Sequence, residues 1–172
     1  MAIKIGTIEV TGVAVGETSI GSVAVGSDFV FQKVTPNPLC FTANTANSTI
    51  RLDKVGSPNA ISLQTSTDGT TWTDYGWTSN TGDTLTLTNI GDKVYVRAKN
   101  ENTTIGSSSS DYYNFVGTGS FGASGNIQSL LKSDSSRSDV PTYCYRNLFQ
   151  GCTSLTSAPE LPATTLGDRC YQ

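Results

Sequence analysis

The sequence predicts an all-β chain that consists of an N-terminal ribbon, an antiparallel sandwich and the beginning of a repeat solenoid. Three observations support this prediction. Charged residues make up only 15% of the 172 residues, while Gly, Ser, Thr and Asn are abundant, and this composition favours strands and turns. Glycine recurs every ten residues within the first thirty. Short runs with alternating apolar residues, separated by turn residues, then follow as far as residue 117.

Residues 1–32 carry a decapeptide repeat. The runs IKIGTIEVTG, VAVGETSIGS and VAVGSDFVFQ align so that glycine falls at Gly6, Gly16 and Gly26. Each decapeptide is expected to form a short strand, a glycine turn and a second short strand, giving a β-ribbon. Such a ribbon is marginal alone in water, so we expect it to dock on another surface. The predicted docking residues are the apolar pairs of the repeat, Ile3, Ile5, Val13, Val15, Val23 and Val25.

Residues 33–117 are predicted to form an antiparallel β-sandwich, because short strands recur with turns every 8 to 12 residues. The alternation in 93-KVYVRAKN places Val94, Val96 and Ala98 inside and the residues between them outside. The segment 60-AISLQTSTDGTTWTDY is predicted to be a hairpin with a type I′ turn at Asp68-Gly69. The candidate strands cover residues 29–34, 39–44, 48–54, 60–66, 71–77, 84–89, 93–100 and 112–117.

Residues 118–142 are predicted to be a linker with a short helix. The glycine-rich run 117-GTGSFGASG lacks the G-K-[ST] of a phosphate loop and is interpreted as a flexible joint. Asn126 is a suitable cap for a helix over 127-IQSLLK, whose Ile127, Leu130 and Leu131 would lie on one side. This helix is expected to cap the segment that follows it.

Residues 143–172 contain one repeat and the start of a second. Cys144 and Cys170 are 26 residues apart, within the range of leucine-rich solenoid units. The phrase CYRNLFQGCTSLTSAPELPATTLGDRCY resembles the leucine-rich repeat of BspA-type bacterial surface proteins. The resemblance implies an inward row formed by Tyr145, Leu148, Phe149, Cys152, Leu155, Leu161 and Leu166. One unit is too little for a solenoid, so we expect the chain to continue beyond Gln172, with a natural stop as the alternative.

Two further resemblances cover most of the remaining chain. The phrases PLCFTANTANSTIRLDKVGSPNAISLQTSTDGTTWTDY and GDKVYVRAKN are similar to Ig-like sandwich modules that precede such repeats in proteins of gut Bacteroidales and their phages. The decapeptides resemble the N-terminal stretch of phage structural and fibre proteins. Together they imply a non-enzymatic virion protein of the head or tail, a fibre or capsid decoration protein that is synthesised in the host cytoplasm and displayed on the virion surface.

The partners that follow from this interpretation are other virion proteins of the capsid or tail and a glycan or protein of the bacterial surface. A homo-oligomer is expected, and a homotrimer would let three ribbons pair their exposed edges. The alternative is a bacterial cell-surface adhesin or carbohydrate-binding module. The N-terminus MAIKIGTIEV lacks the basic and apolar regions of a signal peptide, which favours the virion interpretation. Trp77, Tyr112 and Tyr113 are candidate glycan contacts, with packing as their alternative role.

No catalytic residue, cofactor or metal ligand is predicted. The sequence has no histidine, which removes the commonest general base and the usual partner of a nucleophile. Asp68, Asp83 and Asp92 lie in predicted turns, where we expect them to accept backbone hydrogen bonds. A glycan-active enzyme with paired carboxylates is the third and weakest hypothesis. The four cysteines form no C-x-x-C pair and are interpreted as buried thiols.

Charge and hydropathy argue against two further classes of partner. The 11 basic residues are scattered and the net charge is −3, which gives no basic patch for nucleic acid. No apolar run approaches the roughly 20 residues that a spanning helix needs, so membrane insertion is not expected.

Overall fold

The computed structural model describes residues 37–172 in full and the backbone of four strands within residues 1–36. The chain divides into two compact units, Met1–Thr35 and Pro36–Gln172. In the first unit, β1 (Ile3–Ile5) pairs antiparallel with β2 (Ile8–Val10), and β3 (Ser22–Val25) with β4 (Asp28–Gln32). These hairpins coincide in sequence with the first and third decapeptides. The second decapeptide lies outside the described residues, so the repeat stays a prediction.

The second unit contains two main antiparallel sheets, as the sequence predicts for an all-β chain. Its strands are β5 (Leu39–Ala43), β6 (Ser48–Val55), β7 (Leu63–Ser66), β8 (Thr73–Tyr75), β9 (Trp77–Thr78), β10 (Thr81–Gly82), β11 (Leu85–Leu87), β12 (Lys93–Ala98), β13 (Tyr112–Thr118), β14 (Phe121–Ser124), β15 (Asp139–Val140) and β16 (Thr165–Leu166). The three-stranded sheet has the order β11-β6-β13, and the five-stranded sheet has the order β14-β5-β12-β7-β8. Strands β9 and β10 form a small separate hairpin, whereas β15 and β16 pair in parallel.

The core lies between these two sheets. The predicted alternation along β12 is confirmed, because Val94, Val96 and Ala98 are buried while the residues between them are partly exposed. Phe41 from the five-stranded sheet meets Phe115 from the three-stranded sheet edge to face, with 4.9 Å between ring centroids. A single apolar cluster therefore joins both sheets.

The hairpin predicted at residues 60–75 is present, but its turn is not type I′. Strands β7 and β8 pair with Leu63 opposite Tyr75 and Thr65 opposite Thr73, which leaves six residues in the connection. Only Gly69 in this connection has a positive φ, of 75°, whereas a type I′ turn needs two such residues. The loop is held instead by the side chain of Asp68, which accepts hydrogen bonds from the backbone N–H groups of residues 70 and 71.

The flexible joint expected at residues 117–125 is wrong. Phe121–Ser124 is strand β14 of the five-stranded sheet, so the sheet extends beyond the expected end of the sandwich at residue 117. The glycines are there because space is short. A Cβ at Gly117 would overlap the carbonyl oxygen of Thr49 and touch the ring of Phe121. Glycine in this run therefore permits close packing and does not mark a loose segment.

The predicted short helix is a single 3-10 turn, Ile127–Leu130, and its cap is confirmed. The side chain of Asn126 accepts a hydrogen bond from the backbone N–H of Gln128 at 2.8 Å. Ile127, Leu130 and Leu131 are buried as expected, but Gln128 and Ser129 are buried too. The turn is thus enclosed on all sides. No helical segment in the described part of the chain is long and apolar enough to cross a bilayer.

Candidate functional site

The predicted docking residues lie in the first unit. Ile3 and Ile5 belong to β1, and Val23 and Val25 belong to β3. Val13 and Val15 lie outside the described residues. The register places Ile3 opposite Val10 in the first hairpin, and the second hairpin has a bulge after Val23. Docking through these residues stays a prediction.

Trp77 is packed by its neighbours. Its indole N–H donates to the carbonyl of Leu52 at 2.7 Å. Its ring meets Tyr75 edge to face at 5.0 Å and Tyr113 at 5.7 Å, and the ammonium of Lys54 lies 5.0 Å from its centroid. A sugar stacks on an open aromatic face, and these contacts occupy the ring. The geometry therefore favours the packing role of Trp77.

Tyr112 and Tyr113 point to opposite faces of β13. Tyr113 is only 1% exposed, its hydroxyl donates to the carbonyl of Asn59 at 3.1 Å, and burial raises its pKa. Its ring has no face for a sugar, so the predicted glycan contact is wrong at this residue. Tyr112 is partly exposed, and its hydroxyl lies 3.3 Å from the side-chain oxygen of Gln150.

The C-terminal residues form two stacked layers, which we define as the first layer (residues 139–164) and the second layer (residues 165–172). Strands β15 and β16 pair Asp139 with Thr165 and Val140 with Leu166, an offset of 26 residues. Further bonds follow the same offset. The N–H groups of Tyr143, Tyr145 and Asn147 donate to the carbonyls of Asp168, Cys170 and Gln172 at 3.0, 2.8 and 2.7 Å. The spacing of the repeated Cys-Tyr phrase is therefore also the register of this backbone pairing.

The first layer in turn stacks on the sandwich. The N–H groups of Phe115, Phe121 and Ala123 donate to the carbonyls of Leu148, Ser154 and Ser157 at 2.7, 2.9 and 3.0 Å. The ring of Phe149 stacks on that of Phe115 with centroids 5.4 Å apart and planes 17° apart. Backbone bonding and aromatic packing thus continue from the three-stranded sheet and β14 into the first layer.

The inward row predicted for the repeat is confirmed in part. Tyr145 and Leu148 are buried, and Phe149, Cys152 and Leu155 pack against the core. The prediction is wrong for Leu161 and Leu166, which are 51% and 57% exposed. Leu166 lies in the outer layer, whereas its pairing partner Val140 is covered. Burying Leu161 and Leu166 would require a further apolar layer, which the described residues do not supply.

Tyr145 and Tyr171 occupy equivalent places in the two layers. Their rings stack with centroids 5.5 Å apart and planes 13° apart. The hydroxyl of Tyr145 donates to the side-chain oxygen of Gln128 at 2.7 Å. The hydroxyl of Tyr171 is buried without a hydrogen-bond partner among the described residues, and burial raises its pKa to about 12.

Tyr145→Phe and Tyr171→Phe are therefore expected to have different effects. Removing the Tyr145 hydroxyl leaves the fully buried oxygen of Gln128 without its donor, which we expect to cost about 1–3 kcal/mol of unfolding free energy. Removing the Tyr171 hydroxyl breaks no hydrogen bond, so that variant should be as stable as the original or slightly more stable. Urea denaturation measures both. Equal losses in the two variants would contradict these assignments.

The turn carboxylates act as the sequence predicts. Asp83 accepts a hydrogen bond from the N–H of Gly76, and Asp92 from that of Asn89, both at 2.8 Å. Asp68 accepts bonds from the N–H groups of Thr70 and Thr71 at 2.7 Å, and these bonds lower its pKa. Their roles at these contacts are structural.

The lowered pKa of Asp68 predicts a pH-dependent contribution to stability. The carboxyl is ionised more readily in the folded chain than in the unfolded chain, so its stabilisation is complete above about pH 4 and is lost as the pH falls towards the folded pKa. The melting temperature of Asp68→Asn should therefore lie furthest below that of the original chain at neutral pH. A gap that stays constant down to about pH 2 would contradict this role.

The thiols are mainly buried, as predicted. Cys40, Cys144 and Cys170 are buried and Cys152 is partly exposed, and all four are free. Burial raises the pKa of Cys144 to about 11, which keeps its thiol protonated at neutral pH. Within the described residues, no three side chains of the kinds that bind metals converge.

These contacts leave two candidate functional surfaces, the strands of the first unit and the stacked layers on the second. Comparison of the chain with protein-family models, with curated proteins and with solved structures finds no match.

Proposed function

We propose that the chain is a non-enzymatic structural protein of a phage virion, located on the head or the tail. In this proposal the N-terminal ribbon docks on the particle and the second unit displays a host-binding region on the virion surface. The observation that carries the proposal is the continuous stack, in which the sandwich, the first layer and the second layer share backbone bonds. Such a stack supports a display role because it holds a surface at a fixed distance and orientation from the particle.

We also propose the finer architecture that the resemblances imply, an Ig-like sandwich followed by a leucine-rich solenoid. The 26-residue offset between Val140 and Leu166 supports the solenoid, because stacked repeats pair through equivalent positions. The division of the chain into Met1–Thr35 and Pro36–Gln172 supports a separate docking element. Linked copies on one particle would add avidity to weak contacts with the host surface.

Deletion of residues 1–32 tests the docking role. The shortened chain should fold but should no longer appear on purified particles when they are labelled with antibodies against the second unit. A narrower pair of variants separates docking from folding. Ile3→Ser with Ile5→Ser removes two predicted docking residues, whereas Lys4→Ser with Glu9→Ser changes one opposed pair of the same hairpin. Only the first pair should reduce incorporation.

Two results would overturn the proposal. Normal incorporation of the shortened chain would remove the docking role of the ribbon. Antibody labelling of bacterial outer membranes, with none on purified particles, would favour a bacterial adhesin. Homo-oligomerisation belongs to the same proposal, and light scattering of the purified chain should give a mass above that of one 18.1 kDa copy.

A further inference from the structure

One end of the space between the two sheets is lined with hydroxyl groups. Along the β7–β8 hairpin, the inward-facing pair Leu63 and Tyr75 is buried in the core. The next inward pair is Thr65 and Thr73, and their hydroxyls are 3.5 Å apart, at the limit of a hydrogen bond. Inward positions of a sandwich are normally apolar. Two threonines with such weak mutual bonding indicate that this end of the sandwich is open to a polar occupant.

A groove of 720 Å³ opens at this place. One wall is the β7–β8 hairpin with its threonines, and the other wall is β11, where Leu85 and Leu87 face inward with Ile50. The volume lies within the range of about 300–1,000 Å³ that is usual for small-molecule sites. The groove therefore combines an apolar side with a wall of hydroxyl groups.

Two carboxylates and one ammonium complete the lining. Asp68 and Asp92 contribute two negative charges and Lys93 one positive charge, so the local charge is −1. Oδ2 of Asp92 binds the backbone of Asn89, while its Oδ1 accepts no hydrogen bond among the described residues. A carboxylate fixed by one oxygen presents the other to a donor. This arrangement fits ligands with many hydroxyl donors and disfavours anions.

We propose that this groove is a binding site for a neutral sugar. Sugar hydroxyls would exchange hydrogen bonds with Thr65, Thr73 and the carboxylates, and the C–H face of the ring would lie against Leu85. An added peptide strand fits less well, because β11 is only three residues long and offers few backbone groups. The proposal rests on the proposed function only for the source of the sugar, a glycan of the bacterial surface.

Nuclear magnetic resonance titration of the isotopically labelled chain tests this site. The probes are glucose, galactose, mannose, N-acetylglucosamine and their disaccharides at millimolar concentrations. At least one should cause saturable shifts of the amides in residues 65–73 and 85–87. Absence of such shifts for every sugar would overturn the proposal. Shifts caused by an alternating Val-Thr hexapeptide but by no sugar would overturn it in favour of strand addition.

Three variants test the groove itself. Thr73→Val removes a hydroxyl at nearly constant volume and should weaken sugar binding roughly ten-fold. Thr67→Trp, at an exposed position of the lining, should block the groove, whereas Thr78→Val, an exposed hydroxyl outside it, should change nothing. Unchanged affinity in both groove variants would overturn the site. Lost sugar binding with normal particle incorporation contradicts this inference alone, and the reverse contradicts the proposed function alone.

Discussion

Phe115→Ala is expected to lower the free energy of unfolding by about 3–5 kcal/mol, the usual cost of removing a buried phenylalanine ring. Phe115 is 2% exposed and contacts Phe41 across the sandwich and Phe149 of the first layer. Its backbone N–H bond to Leu148 does not depend on the side chain. The loss therefore measures the ring contacts that join the sandwich to the layer. Urea denaturation gives the value.

Two controls make this result specific. Val116→Ala changes the next residue, on the opposite face of β13, and should cost about 1 kcal/mol or less. A double-mutant cycle with Phe149→Ala should give a coupling energy of about 0.5–1.5 kcal/mol for the stacked pair. Additive losses from Phe115→Ala and Phe149→Ala would show that the layer does not pack on the sandwich as described.

Gly125→Ala is expected to destabilise the chain by about 2–5 kcal/mol, because it combines backbone strain with overpacking. Gly125 has a φ of 72°, and a Cβ there would overlap the carbonyl oxygen of Pro38. Gly91→Ala is the matched control. Gly91 has a φ of 87° with nothing within 4 Å of an added Cβ, so only the backbone strain of about 1–2 kcal/mol remains. Thermal unfolding compares them, and equal losses would contradict the close approach at Gly125.

Local patterns made much of the fold predictable. Strands with clear alternation, such as 93-KVYVRAKN, were found with the correct face inside because a period of two follows directly from strand geometry. The cap at Asn126 and the turn role of Asp68 were also predictable, since both depend on hydrogen bonds to neighbouring residues. Strand β14 was missed because it is short and contains Gly122, so only its pairing with β5 makes it a strand.

The missed features depend on residues distant in sequence. Gln128 and Ser129 look like the solvent side of a helix, yet Gln128 accepts a bond from Tyr145, and the hydroxyl of Ser129 bonds to the backbone of Leu39 and Val96. Thr65 and Thr73 look like exposed strand residues until the pairing register places them inward. The role of Tyr113 was open to local reasoning, because adjacent strand residues face opposite sides and Tyr112 and Tyr113 cannot both be exposed.

Hydrogen exchange of the native chain tests most directly whether the layers and the sandwich form one stack. The amide protons of Phe115, Phe121 and Ala123 are bonded to the first layer, whereas Val96 lies in the central strand β12. If the stack unfolds as one cooperative unit, all four amides should exchange with the same free energy of opening. Rapid exchange at Phe115, Phe121 and Ala123, with Val96 still protected, would contradict the continuous stack and the display role built on it.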